Sequence, residues 1–194
     1  MHGRLFQSVV AWLLMQSVSA VAANLPDATA SYVRTGEGKP PTRGKLYVSK
    51  GRLRTESELP RGTIVLIVDP GSGQAWLVLP PPLGCVVQPI DDTMRASMPL
   101  FLSKDLKETL VATEIVDGHP TKKYELTSPS GPLTTRYVWR ASDLRGFPIK
   151  TMDESGLSTT TFENVVIGKP DAKLFQAPAG CKRVSAADGS AAPK

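Results

Sequence analysis

From residue 44 onward the apolar positions mostly recur every second residue, in short runs separated by turn-forming residues. Residues 44–49 alternate toward a strand, Lys50-Gly51 signals a tight turn, and 52–59 return. Pro60-Arg61-Gly62 turns again before a continuous apolar run, 63–69, which ends in Asp69-Pro70-Gly71-Ser72-Gly73. Residues 74–79 form another apolar strand, stopped by Pro80-Pro81-Pro82, and 83–88 a shorter one. In the 63–69 run Ile64, Leu66 and Val68 point one way and Val65 and Ile67 the other. A sheet solvated on one face is polar there, so this part of the sheet needs cover on both faces.

The period changes over 94–110. Met94, Met98, Phe101, Leu102, Leu106 and Leu110 fall three or four apart, which predicts one or two amphipathic helical segments broken near Pro99. Strand signals resume at 111–116, 122–127, 134–140, 147–153 and 157–167, and each joint contains the residues a reversal requires. Gly36 to Pro41 reads as a loop. The predicted fold class is therefore mainly β with one helical insertion, a large antiparallel sheet curled around that helix.

The ends of the chain read differently. Met1-His2-Gly3-Arg4, an apolar centre and the small residues through Ala23 have the form of a signal peptide, expected at 1–22. Ala20-x-Ala22 fits the cleavage rule best, with cleavage after Ala20 or Ala23 as alternatives. The competing reading is an uncleaved anchor, but the apolar centre is shorter than the ~20 residues a spanning helix needs. Export places the mature protein in the periplasm. About 170 residues then remain, enough for one domain, taken as 30–184. A tail at 185–194 lacks apolar bulk and is expected to be disordered.

Composition narrows the chemistry. The chain has 23 Lys and Arg against 18 Asp and Glu, a net charge of +5. These charges are scattered, without the basic run and interleaved aromatics of a nucleic-acid site, so no nucleic-acid partner is expected. A transient encounter with an anionic membrane surface is compatible with this charge. Cys85 and Cys181 are the only cysteines. In an oxidising compartment they read as a disulfide, the alternative being two buried thiols. With one histidine left after cleavage they do not complete a zinc site, so no metal and no cofactor is expected. His119 lies in a Gly-His-Pro turn, and Gly71-Ser72-Gly73 lacks the spacing of a nucleophile elbow. The chain does not read as an enzyme.

Five stretches carry a resemblance. They are Gly44-Lys45-Leu46-Tyr47 through Arg52-Leu53-Arg54-Thr55-Glu56, then Ala75-Trp76-Leu77-Val78-Leu79-Pro80, then Val116-Asp117-Gly118-His119-Pro120 with Thr121-Lys122-Lys123-Tyr124. Val138-Trp139-Arg140 through Gly146-Phe147-Pro148 and Phe162-Glu163-Asn164-Val165 with Asp171-Ala172-Lys173-Leu174-Phe175 complete the set. In this order they resemble the lipoprotein-carrier superfamily, the LolA/LolB-like fold, and within it a branch of uncharacterised exported domains. The resemblance implies a curved, unclosed antiparallel half-barrel covered by a helix, whose cavity holds acyl chains. It also implies that Arg54 positions the lid. The carriers' Phe-Arg-Trp context is replaced here by Leu53-Arg54-Thr55. The other reading of Arg54 is a strand-surface residue paired with Glu56 or Glu58.

Two functional readings follow. The first is a non-catalytic periplasmic binding or carrier protein for a lipid or acyl chain. Its candidate cavity and lid residues are Leu66, Trp76, Val78, Met94, Met98, Phe101, Leu102, Leu106 and Trp139. Met suits a surface that must fit varied chains; the competing reading, and for any single residue the more usual one, is that these side chains make the core beneath the helix. The second reading is an envelope sensor or protein-interaction module of the same fold, without a transported ligand.

Overall fold

The computed structural model describes residues 25–103 and 105–183. The signal peptide expected at 1–22 and the tail expected at 185–194 lie outside the described residues. The strands are β1 (Ala28–Gly36), β2 (Lys39–Ser49), β3 (Arg52–Leu59), β4 (Gly62–Asp69), β5 (Gln74–Val78) and β6 (Cys85–Pro89). Two short helices follow, α1 (Asp92–Ser97) and α2 (Pro99–Leu102). Then come β7 (Lys107–Val116), β8 (His119–Thr127), β9 (Tyr137–Ala141), β10 (Phe147–Met152), β11 (Thr159–Ile167), a 3-10 turn at Ala172–Phe175, and β12 (Lys182–Arg183).

Among the described residues twelve strands form one open sheet in the order β12-β6-β5-β4-β3-β2-β1-β11-β10-β9-β8-β7. It is antiparallel except for the β12–β6 pair. Two hairpins fix the register where the sequence marks it. Lys50 and Gly51 both have positive φ, as do Asp117 and Gly118. Two successive left-handed residues match the twist of the flanking strands. Ser49 is accordingly set opposite Arg52, and Val116 opposite His119.

Three elements differ from the sequence reading. β1 was not expected, because its inward positions Ala28 and Ala30 carry little apolar signal, yet they are 0% and 6% exposed. β2 begins at Lys39, inside what reads as a loop. The helical segment ends at Leu102, so Leu106 lies outside it and Leu110 belongs to β7. The three-and-four spacing of Leu106 and Leu110 is coincidental there, since the Asp117-Gly118 turn pairs β7 with β8 as far back as Lys107.

The helices pack on one face of the sheet. Asp91 caps α1 by accepting the Met94 backbone N–H at 2.8 Å, and Pro99 opens α2. Met94 and Leu102 are buried with Ile90, Ala28, Ala30, Leu46, Val48, Leu53, Val68, Ala75 and Phe147 in one core cluster. Leu106 joins Leu126 and Val138 in a second cluster on this face, with Leu100 packed against it. The opposite face has its own cover. There the 3-10 turn lies over β3, Phe175 is buried, and the Arg52 guanidinium sits 4.9 Å from the Phe175 ring.

Candidate functional site

A cavity of about 340 Å³ lies between α2 and the sheet. Its size falls within the range of small-molecule pockets. Met98, Pro99, Leu100 and Phe101 close it on the helix side. Strands β2 to β5 supply Leu46, Leu53, Thr55, Ser57, Ile64, Leu66 and Leu77, while Tyr32 and Arg34 come from β1. Ser97, Thr135, Thr151, Thr160 and Phe162 complete the lining.

Strand alternation explains this lining. In β3 the residues Leu53, Thr55 and Ser57 face the helices, and Arg52, Arg54, Glu56 and Glu58 face away. Leu66 pairs with Thr55 and with Leu77, so one row of apolar and small polar side chains crosses three strands. Tyr32 reaches across β2 because Gly44 has no side chain, and its hydroxyl shares a 2.6 Å hydrogen bond with Ser57. Phe162 packs edge-on against Tyr32 and Phe147. The Arg34 Nε–H donates to Thr160 Oγ1 at 3.3 Å, and Arg34 has no carboxylate partner among the described residues. The cavity thus combines apolar side chains of β2 to β5 and the helices with hydroxyl groups from β3, β10 and β11 and the guanidinium of Arg34.

The candidate residues separate by location. Leu66, Met98 and Phe101 line the cavity. Met94, Leu102 and Leu106 are core residues, at 8%, 4% and 6% exposure. Trp76 and Val78 alternate with the cavity residue Leu77 and so lie on the opposite face. Trp139 also faces away. Its Nε1–H donates to Glu114 at 2.5 Å, and the ammonium groups of Lys123 and Lys150 each sit 4.8 Å from its ring. Arg54 lies on that face too. It ion-pairs with Glu56 at 2.7 Å and donates to the Leu174 carbonyl of the 3-10 turn at 3.2 Å. Its polar contacts therefore hold the C-terminal segment rather than α1 or α2, and the Glu56 pairing read as the alternative is present.

Tyr32, Arg34, Leu46, Leu53, Thr55, Ser57, Leu77 and Phe162 were not among the sequence candidates. The alternation in β3, small or apolar residues against charged ones, is the signal that points to Leu53, Thr55 and Ser57.

Cys85 and Cys181 form a disulfide with their Cα atoms 4.6 Å apart. No free thiol remains among the described residues. His119 pairs with Asp143 at 2.8 Å, a hydrogen bond that holds the Asp143 carboxyl below its ordinary pKa. Neither residue lines the cavity. Among the described residues no three potential metal ligands cluster, and no helix is long and apolar enough to cross a membrane.

The chain matches no protein-family model and no curated protein. Solved structures do match. MucB is similar at 18% identity and a TM-score of 0.51, over 84% of this chain and 61% of that one. The Pseudomonas aeruginosa MucA/MucB complex matches at 18% identity and a TM-score of 0.48, over 86% of this chain and 60% of that one. A LolA superfamily protein from Nitrosomonas europaea matches at 11% identity and a TM-score of 0.40, over 79% of this chain and 91% of that one. The likeness to MucB is one of fold, an open antiparallel sheet with short helices on one face. This chain spans about three fifths of the length of the MucB chains it matches.

Proposed function

We propose that this chain is an exported, non-catalytic periplasmic protein that binds the apolar chain of a lipid or acylated molecule beneath α2. The carrying observation is the cavity of about 340 Å³ between Met98–Phe101 and the row Leu53, Leu66 and Leu77. The cleft opens to solvent beside α2, so an apolar chain can enter it and lie along that row. The Met98 side chain on the helix side is flexible enough to follow chains of different shape. The non-catalytic part of the reading is supported by the cysteines being paired and by His119 lying outside the cavity lining.

A second reading, a protein-interaction module of the cell envelope, is favoured by the likeness to MucB. MucB has been crystallised in complex with MucA.

Native mass spectrometry of protein purified from its own envelope, with titration of an apolar fluorescent probe, tests the first reading. The expected result is a bound lipid mass, or stoichiometric probe binding that lysolipid or fatty acid competes away. Phe101→Asp is expected to abolish probe binding by placing a charge against apolar contacts. Absence of both a bound mass and probe binding in the folded protein would overturn the carrier reading. Recovery of one specific envelope protein by crosslinking would then favour the second.

A further inference from the structure

The two edges of the sheet are finished differently. At one edge stands β12, two residues long and composed of Lys182 and Arg183, directly after the disulfide-bonded Cys181. Short length and charge are the ordinary protections of a sheet edge. At the other edge stands β7, ten residues long, which pairs with β8 and, among the described residues, with no other strand. It contains no proline, and its charged residues are Lys107, Glu108 and Glu114. Leu110, Val111 and Ile115 on it are 53%, 52% and 76% exposed. A long edge with free backbone donors and acceptors and exposed apolar side chains is a template for strand addition.

We propose that β7 is the interface through which two copies of this chain pair, antiparallel and edge to edge, with Lys107 opposite Glu114 of the second copy. The charges on the strand select this occupant and this register. A bulge between Leu110 and Ala112 shifts the alternation. Lys107, Thr109, Ala112 and Glu114 therefore share one face, and Glu108, Leu110, Thr113 and Ile115 share the other. Placing Lys107 against Glu114 keeps like faces together at every pair outside the bulge. Glu108 then meets Thr113, Thr109 meets Ala112, and Leu110 meets Val111, each pair occurring twice by symmetry. Moving the partner strand by two residues in one direction sets Thr109 against Glu114 and Glu108 against Ile115, and both ion pairs are lost. Glu114 gives one carboxylate oxygen to Trp139, which leaves Oε2 for the lysine. Lys107 has no ion pair within the described chain. Because β12 closes the other edge, addition stops at two copies and makes a closed dimer instead of a growing sheet.

Sedimentation velocity of the exported chain across the micromolar range tests the proposal. The unmodified protein is expected to show a concentration-dependent monomer–dimer equilibrium. Lys107→Glu alone and Glu114→Lys alone each set like charges opposite one another twice, and each is expected to weaken the dimer about tenfold. Mixing the two variants restores opposite charges at both positions, so a heterodimer should recover the original affinity. If Glu114→Lys fails to fold for want of the Trp139 acceptor, Val111→Lys at an exposed edge position is expected to give monomers. A protein that stays monomeric throughout overturns the proposal. So does a dimer that survives Lys107→Glu and Val111→Lys unchanged.

Discussion

Gly44 shows how one missing side chain shapes the site. A Cβ at this position would run into the Glu56 carbonyl oxygen and come within 2.6 Å of the Tyr32 ring. Tyr32 is 7% exposed, and its ring closes one side of the cavity while its hydroxyl meets Ser57. Gly44→Ala is therefore expected to cost about 1–3 kcal/mol, the usual range for overpacking. Urea unfolding would measure that loss. The same variant should also change probe affinity, because Tyr32 must leave its seat. A variant as stable as the parent would show that the strand can move aside without strain.

At the scale of elements, the segment from the 3-10 turn to β12 acts as a strap over the face opposite the helices. Arg54 holds it through the Leu174 carbonyl, Arg52 through the Phe175 ring, and Cys85 through Cys181. Beneath it Ile67, which pairs with both Arg54 and Trp76, is 1% exposed although its side chain points away from the helices. The disulfide closes a sequence separation of 96 residues. In the chain-entropy model a loop of that length contributes about 4–5 kcal/mol. Cys85→Ala with Cys181→Ala is expected to lower stability by up to that amount and to raise hydrogen exchange in 172–183 first. Strands β8 to β11 lie far from the strap in the sheet order and should keep their protection until global unfolding. Equal loss of protection in all strands would mean that the strap unfolds only with the whole domain.

At the scale of the whole molecule, the helix-bearing face combines a packed core with an open cavity, and substitutions should separate the two. Leu102 belongs to the packed part, at 4% exposure in the main cluster. Leu102→Ala is expected to cost about 2–5 kcal/mol while leaving probe affinity nearly unchanged. Leu77 lines the cavity and is only partly buried. Leu77→Ala should cost less stability and weaken probe binding more. Paired denaturation and fluorescence titrations of the two variants check this. Parallel losses in both would make the cavity an extension of the core.

Much of the architecture was legible from local pattern. Period-two runs marked most of the strands, Lys50-Gly51 and Asp117-Gly118 marked two hairpins, and the stripe through Met94, Met98, Phe101 and Leu102 marked the helices. The two-faced apolar run of β4 announced cover on both sides, and a 3-10 strap provides the second cover. The signal-peptide reading of the first residues and an even cysteine count pointed to the disulfide. What local pattern could not supply was which distant segments share a face. β1 escaped notice because the sheet demands alanine where its strand lies under packed neighbours, and alanine carries little periodic signal. Leu106 and Leu110 kept helical spacing by coincidence, and only pairing with β8 across a tight turn made 107–116 a strand. Trp76 and Trp139 are large and apolar wherever they sit, so composition marked them as candidates. Strand alternation counted across the assembled sheet turned both away from the cavity and brought Tyr32 and Ser57 into it. Side-chain direction within a strand is a local property of the chain, whereas which face meets the helices is settled only when all twelve strands are in register.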